Sequence, residues 1–209
     1  MSKVNLHERY HFDEEIRRDE KPYVANYKCL NSTFNMSTVN GVCDVGCATG
    51  VLLKHIKLAY PKQNVCGIEY FSWQKEAADV SIKDSIILHD LRDPLEHVNQ
   101  YDIVNCTEVG EHIDIEYYTV LMQNLSALCR QYLIMTWSAS GGASDRGHDP
   151  HLQHLNPLSY DEYIYGVGLY GFFKNEALTK RFLEEAARQP DFQRWWFASL
   201  VVFERKEIS

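Results

Sequence analysis

The feature that most constrains the fold is an alternation of short β-rich runs with helical stretches, which begins at about residue 40. This alternation is typical of βαβ units, so it predicts a parallel sheet whose strands are joined by helices. Strands are expected over residues 41–45, 64–69, 85–89, 101–106, 132–137, 169–173 and 195–204. Helices are expected over residues 51–60, 73–83, 116–130 and 176–188, with a short one opened by a capping box at residues 159–162.

The length of the chain favours one domain with an addition at its N-terminus. Its 209 residues are enough for a single ordinary domain with a core of its own. Residues 1–38 look helical and are predicted to form an N-terminal helical cap, which leaves the main domain at residues 39–209. Residues 138–157 contain several glycines and prolines and are predicted to form a loop of a length that is usually functional or disordered.

The balance of charge argues against a general nucleic-acid binder. The chain has 29 acidic and 21 basic residues, a formal net charge of −8, whereas binding to phosphate backbones is driven by basic patches. The first twenty residues contain no apolar run like a signal peptide, and residues 195–203 are too few to cross a bilayer as a helix. Six cysteines without a C-x-x-C pair fit free thiols in a reducing compartment. We therefore expect a soluble, cytoplasmic protein with no membrane partner.

A turn with two glycines follows the first predicted strand. The segment reads Asp44-Val-Gly46-Cys-Ala-Thr-Gly50, and glycines at a strand-to-helix turn allow close approach of a ligand to the backbone. It does not fit the G-x-G-x-x-G pattern of dinucleotide sites, because Ala48 and Val51 stand where glycines are required. A carboxylate two residues before the first glycine suits a ligand with a cationic amino group better than a pyrophosphate.

This segment resembles motif I of the class I S-adenosylmethionine-dependent methyltransferases, in which D-V-G-C-x-T-G is a common form. Further similar elements follow in order: G-I-E-Y at residues 67–70, H-D-L at residues 89–91 and N-C-T-E-V-G-E-H-I at residues 105–113. The last is similar to the E-V-x-E-H form of motif IV in small-molecule branches. The resemblance covers about residues 40–135 and implies an α/β fold. That fold is a Rossmann-like, doubly wound sheet of seven mostly parallel strands, with an antiparallel last strand and helices on both faces.

The resemblance implies S-adenosylmethionine as the cofactor and assigns roles at the strand ends. Glu69 is placed near the ribose hydroxyls, the Asp90 carboxylate near the adenine amine, and Leu91 at a backbone contact to the adenine. The complete set of expected cofactor-binding residues is Asp44, Gly46, Cys47, Ala48, Gly50, Glu69, Tyr70, Asp90, Leu91, Asn105 and Glu108.

The methyl acceptor is expected near the loops after the fourth and fifth strands, because ligands bind at the carboxyl ends of parallel strands. An oxygen acceptor has to lose a proton, to a base or with the help of a metal. Glu108, Glu111 and His112 stand at i, i+3 and i+4, so one helical turn would direct them to the same side. The ubiquinone-pathway O-methyltransferases look similar here and imply a divalent cation, whereas many metal-free relatives share the pattern. We assign Glu111 and His112 to catalysis and assign no metal.

The predicted loop after the fifth strand holds His148, His151 and His154. Their spacing would suit a metal on a helix, but Pro150 and the nearby glycines argue against a regular helix. Imidazole titrates near physiological pH, so His151 and His154 are candidate general bases.

The predicted function is transfer of a methyl group to an oxygen or nitrogen atom of a small-molecule acceptor. The alternatives are methylation of an RNA end or nucleotide, and a catalytically silent cofactor-binding protein. Two observations argue against a nucleic-acid substrate. The N/D/S-P-P-Y/F segment of exocyclic-amine enzymes is absent after the fourth strand, and no lysine lies between Lys83 and Lys174 for ribose chemistry.

Overall fold

A computed structural model describes residues 20–96, 99–139 and 154–206. Seven strands form one sheet in the order β3-β2-β1-β4-β5-β7-β6. Strands β1 to β5 pair in parallel, and β7 lies antiparallel to both β5 and β6. The predicted sheet, with its antiparallel last strand, is therefore confirmed. The strands are β1 (Gly41–Val45), β2 (Asn64–Glu69), β3 (Ile86–Leu88), β4 (Tyr101–Cys106), β5 (Cys129–Met135), β6 (Phe172–Lys174) and β7 (Val201–Arg205).

Six α-helices flank the sheet in the described residues. They are α1 (Lys21–Thr33), α2 (Val51–Ala59), α3 (Ser72–Ala77), α4 (Tyr118–Leu128), α5 (Tyr160–Gly168) and α6 (Glu176–Arg188). Apolar residues of α1, α2 and α6 pack in one core cluster, and those of α4 and α5 in another. Alternate residues of a central strand contribute to opposite clusters, as Cys43 and Val42 do, so helices cover both faces of the sheet. None of the described helices is long and apolar enough to cross a bilayer.

The ends of several elements follow directly from local side-chain chemistry. The capping box is confirmed, because the Ser159 hydroxyl accepts from the Glu162 backbone N–H and the Glu162 carboxylate accepts from Ser159 N. The Asn175 side chain accepts from Leu178 N and begins α6 at the predicted residue.

Four predicted elements differ from the structure by three residues or more at one end. The sixth strand, predicted over residues 169–173, begins at Phe172, because residues 169–171 form a turn. The helix predicted over residues 73–83 ends at Ala77, because the Asp79 carboxylate accepts from the N–H and hydroxyl of Ser81 and forms a turn instead. The fifth strand begins at Cys129 rather than at residue 132. The last strand begins at Val201, since residues Arg194–Ala198 form a 3₁₀ helix whose Trp196 ring packs against Phe192.

The N-terminal segment contributes to the main core. Ala25, Cys29 and Leu30 of α1 are buried against α2 and α6. Residues 1–19 lie outside the described residues, and the division of the chain at residue 38 stays a prediction. All six cysteines are free and buried, as expected for a chain without disulfide bonds.

Candidate active site

The predicted site residues gather at the carboxyl edge of the sheet. The chain reverses its direction across the sheet between β1 and β4, which are neighbours in the strand order. A crevice opens at such a reversal in open α/β sheets, and ligands bind there. Asp44, Glu69 and Asn105 each stand at the end of one of these central strands.

The glycine turn has the backbone conformation that its sequence requires. Gly46, Ala48 and Gly50 have positive φ angles of 72°, 49° and 73°. The N–H groups of Gly46 and Cys47 both donate to the Ile68 carbonyl, at 2.8 and 3.1 Å, so the turn is fixed to β2. A side chain at position 46 would collide with Val109, which packs directly over this glycine. Gly46 is therefore required both by its φ angle and by its neighbour.

The Cys47 and Gly50 side-chain positions belong to the core beneath the turn. The Cys47 thiol is buried and packs against Gly67 of β2, and Gly50 caps α2 with Ile82 lying against it. Any contact of these two residues with a ligand would therefore be made by their backbone.

Asp44 is a buried carboxylate at the end of β1, with 4% of its surface exposed. Its Oδ1 accepts from Asn105 Nδ2 at 2.7 Å. Burial raises the pKa of the Asp44 carboxyl to about 7; the Asn105 hydrogen bond opposes this rise, and the nearby charge of Glu69 adds to it. A cation placed beside Asp44 would favour its ionised form.

Glu69 joins the end of β2 to the glycine turn. Its Oε2 accepts from the Ala48 N–H at 2.9 Å, and its Oε1 accepts from the N–H groups of Tyr70 and Phe71 at 2.9 Å each. Burial raises the pKa of Glu69, and these hydrogen bonds oppose the rise. The carboxylate thus has a fixed position, while its contact with ribose hydroxyls stays a prediction.

Asp90 is held by an arginine that sequence reasoning did not identify. The Arg92 guanidinium makes a bidentate pair with it, with Nε at 2.9 Å from Oδ1 and Nη2 at 2.7 Å from Oδ2. The same guanidinium lies 5.9 Å from the ring centroids of both Tyr70 and Tyr117. The Leu91 side chain is buried in the core. The adenine contacts of Asp90 and Leu91 stay predictions.

Tyr23 of α1 is a second residue that the sequence did not reveal. Burial raises the pKa of its phenol to about 12, and the charges of Asp44 and Glu69 add to the rise. The phenol therefore lies within the electrostatic influence of both carboxylates, which places the start of α1 on their side of the sheet edge. No motif marks this segment, so only the tertiary structure identifies it.

Glu108 departs from the predicted helical turn. It has a positive φ of 59°, and the 3₁₀ helix that follows begins only at Gly110. Its carboxylate accepts from the Thr136 hydroxyl at 2.9 Å and from Trp195 Nε1 at 3.1 Å. The expectation that Glu108, Glu111 and His112 share one helical face is wrong, because the left-handed residue turns Glu108 toward the end of β5. Its contact with the cofactor stays a prediction.

The structure brings together Glu111, His112 and His154 instead. One potential ligand atom from each residue lies within 4.8 Å of the others. The rings of His112 and His154 meet edge to face, with centroids 5.1 Å apart. Three of the four predicted catalytic residues therefore converge, and the fourth, His151, lies outside the described residues.

Backbone hydrogen bonds hold this arrangement. The Glu111 carbonyl accepts from the N–H groups of Leu155 and Asn156 at 2.7 and 3.0 Å. The Asn156 carbonyl in turn accepts from the Trp137 indole at 2.7 Å, and that indole ring packs against Gly110. The segment with His154 is thus tied directly to the segment with Glu111.

The Glu111 side chain is completely buried, with 0% of its surface exposed. Backbone amides lie near the carboxylate, but neither of its oxygens accepts a hydrogen bond of good geometry among the described residues. Burial raises the pKa of the Glu111 carboxyl to about 8, the charge of Glu108 adds to the rise, and nearby backbone amides oppose it. A buried carboxyl with its pKa raised in this way keeps its proton at neutral pH, and it is suited to exchanging that proton for a ligand.

Solved methyltransferase structures share this fold. The magnesium protoporphyrin IX methyltransferase from Synechocystis PCC 6803, with bound SAH, is 16% identical over 99% of this chain and 90% of its own, with a TM-score of 0.64. The plantazolicin methyltransferase BpumL, in complex with SAH and a monoazolic desmethyl analogue, is 14% identical over 93% and 87% of the two chains, with a TM-score of 0.66.

An O-methyltransferase from a trans-AT PKS multienzyme of Brevibacillus brevis, in complex with S-adenosyl-L-homocysteine, is 20% identical. The alignment covers 99% of this chain and 79% of the other, with a TM-score of 0.59. No curated protein matches the chain in sequence. At these identities the neighbours establish the fold. The sequence of residues 25–199, which is most of the chain, matches the family described as a methyltransferase domain. The chain therefore belongs to the methyltransferase domain family, as the resemblance in its motifs predicted.

Proposed function

We propose that this protein uses S-adenosylmethionine to methylate an oxygen or nitrogen atom of a small-molecule acceptor. The observation that carries the proposal is the pair of buried carboxylates at adjacent strand ends, Asp44 and Glu69, on either side of a glycine turn. One carboxylate suits the cationic amino group of the methionine end, and the other suits ribose hydroxyls.

Methyl transfer needs few functional groups beyond the residues that bind the cofactor. The acceptor atom attacks the methyl carbon in line, the carbon–sulfur bond breaks, and the electron pair stays on the sulfur of the neutral thioether product. Holding the acceptor atom in line with the carbon–sulfur bond supplies much of the rate enhancement. For a hydroxyl acceptor, Glu111, His112 and His154 are the proposed groups that position the acceptor and promote the loss of its proton, since they lie together beyond the end of β4.

Two observations support a small acceptor rather than a polynucleotide. The net charge of −8 offers little attraction to a phosphate backbone. The solved neighbours include an enzyme named for magnesium protoporphyrin IX and another crystallised with a desmethyl plantazolicin analogue. The six free, buried cysteines further support our proposal that the protein acts in a reducing, cytoplasmic compartment.

Isothermal titration calorimetry with S-adenosylhomocysteine tests the cofactor assignment. We expect 1:1 binding to the wild-type protein and none to Asp44→Ala. Asp84→Ala is the matched control, because this aspartate is exposed in the Lys83–Ser85 3₁₀ helix, and it should bind like the wild type. Equal affinity of the Asp44→Ala variant would contradict the proposal.

A panel of radiolabelled methyl-transfer assays tests the acceptor class. Phenols, carboxylic acids and amines form one arm, and capped or uncapped RNA ends form the other. We expect turnover in the first arm. Turnover on RNA ends alone would replace the small-molecule acceptor with the alternative, and cofactor binding without turnover in either arm would indicate a silent binding protein.

A further inference from the structure

We propose that Glu111, His112 and His154 form a binding site for a divalent metal ion of the type that accepts mixed nitrogen and oxygen ligands, such as Zn²⁺, Co²⁺ or Mn²⁺. This ligand set differs from the one that the E-x-x-E-H resemblance implies. It excludes Glu108 and includes a histidine from the segment after β5.

The first argument is distance. One ligand atom from each of the three residues lies within 4.8 Å of the other two. Bonds of about 2.0–2.2 Å to a tetrahedral ion place ligand atoms roughly 3.4 Å apart. The difference between the two distances is at most about 1.4 Å, which small side-chain rotations can close, because the segments that carry the three residues are already hydrogen-bonded together.

The second argument is independent of the first and concerns the buried carboxylate. Glu111 is fully buried, and neither of its side-chain oxygens has a hydrogen-bond partner in the described part of the chain. An ionised carboxylate without a partner in such a place is strongly disfavoured, so buried carboxylates are usually paired or coordinate a metal. A cation bound beside Glu111 would supply the missing partner.

The third argument is the chemistry of the donors. Two imidazoles and one carboxylate are the ligands found in many catalytic metal sites, where three protein groups leave further positions open. The backbone supports this set, because the Glu111 carbonyl binds the N–H of Leu155, the residue that follows His154. The histidine is thereby kept beside the carboxylate.

Glu108 is excluded by its own contacts. Both of its carboxylate oxygens are engaged, one by the Thr136 hydroxyl and the other by the Trp195 indole. Its left-handed backbone turns it away from the 3₁₀ helix that carries Glu111 and His112.

The role of the ion rests on the proposed function. Held by Glu111, His112 and His154, an ion with open positions would supply Lewis-acid chemistry that lowers the pKa of an acceptor hydroxyl, which would favour an oxygen acceptor such as a phenol over an amine. The hydroxyl proton passes to solvent, the oxygen forms the new bond to the methyl carbon, and the sulfur leaves with the electron pair of the broken bond.

Titration of the metal-free full-length protein with Co²⁺ tests the site directly, with visible absorption and calorimetry as readouts. We expect one ion per chain in the wild type. In Glu111→Gln and His154→Ala the affinity for Co²⁺ should fall by more than about a hundredfold. That loss is larger than the loss caused by replacing residues that only hydrogen-bond to metal ligands. His55→Ala is the matched control: it removes an imidazole of α2 outside the cluster and should leave the affinity unchanged.

Glu108→Gln distinguishes the two ligand sets. We expect it to retain Co²⁺ affinity, and a loss as large as that of Glu111→Gln would overturn the proposed set. Absence of Co²⁺, Zn²⁺ and Mn²⁺ binding to the wild type would overturn the site itself. Binding of S-adenosylhomocysteine, measured on the same samples, shows that each variant is folded and reports separately on the proposed function.

Discussion

The two halves of the candidate site differ in how completely their polar groups are satisfied. On the cofactor side, each acid already has a protein partner: Asp44 binds Asn105, Glu69 binds three backbone amides, and Asp90 binds Arg92. On the acceptor side, the buried Glu111 carboxylate has none within the described residues. The acids of the first half are therefore held by the protein before a ligand binds, although Asn105 Oδ1 there also lacks a partner in the described residues. In the second half the carboxylate itself is left for what binds to it.

The largest expected effect comes from placing a side chain at Gly46 in the glycine turn. Gly46→Val places a β-branched side chain at a φ of 72° and against Val109. We expect a loss of about 3 kcal/mol or more in the free energy of unfolding, together with loss of S-adenosylhomocysteine binding. Chemical denaturation and calorimetry measure the two effects.

Gly168→Ala is the control for this substitution. Nothing lies within 4 Å of the position that its new methyl group would occupy. A Gly46→Val protein as stable as Gly168→Ala would show that the turn is not rigidly formed.

The next effect is a pH dependence that arises from Asp44. Its pKa is about 7 in the folded chain and near 3.8 when unfolded, so between these values the folded state holds a proton that the unfolded state has lost. The contribution of Asp44 to the free energy of unfolding therefore decreases as pH rises from about 4 to 7, by about 4 kcal/mol at most, and levels off above. Asp44→Asn should be less sensitive to pH across this window in denaturation curves, and identical pH profiles would contradict the assignment.

A smaller effect is expected at Glu69. In Glu69→Gln the amide nitrogen cannot accept from a backbone N–H, so bonds to Ala48 or to Tyr70 and Phe71 are lost. We expect a loss of about 1–3 kcal/mol in stability and weaker S-adenosylhomocysteine binding. Glu76→Gln, at an exposed position on α3, should change neither quantity.

The smallest effect is expected on the acceptor side. Trp195→Phe removes the N–H that donates to Glu108, while the indole it replaces is 58% exposed. We expect a change of no more than about 1 kcal/mol in stability and unchanged S-adenosylhomocysteine affinity. A loss as large as that of Glu69→Gln would show that the two halves are equally preformed.

Local patterns account for what could be predicted from the sequence. The bounds of β1, β2 and α6 follow from apolar runs and turn residues, and the acids at the strand ends follow from motif order. The helix after β2 was predicted too long because the turn made by Asp79 outweighs helical periodicity.

Contacts between distant segments account for what was missed. Tyr23 reaches Asp44 and Glu69 through the packing of α1, and Trp195 reaches Glu108 across 87 positions of sequence, so neither leaves a local pattern. Arg92 is different: it lies two residues from Asp90, and this short spacing is a signal that could have been used.

The bond between the Glu69 carboxylate and the Ala48 amide has a kinetic consequence. It fixes the glycine turn to the neighbouring strand before a nucleotide binds, so the backbone of the turn does not have to change conformation on binding. The rate of nucleotide association is then governed by diffusion and orientation, with no slower rearrangement of the turn before binding.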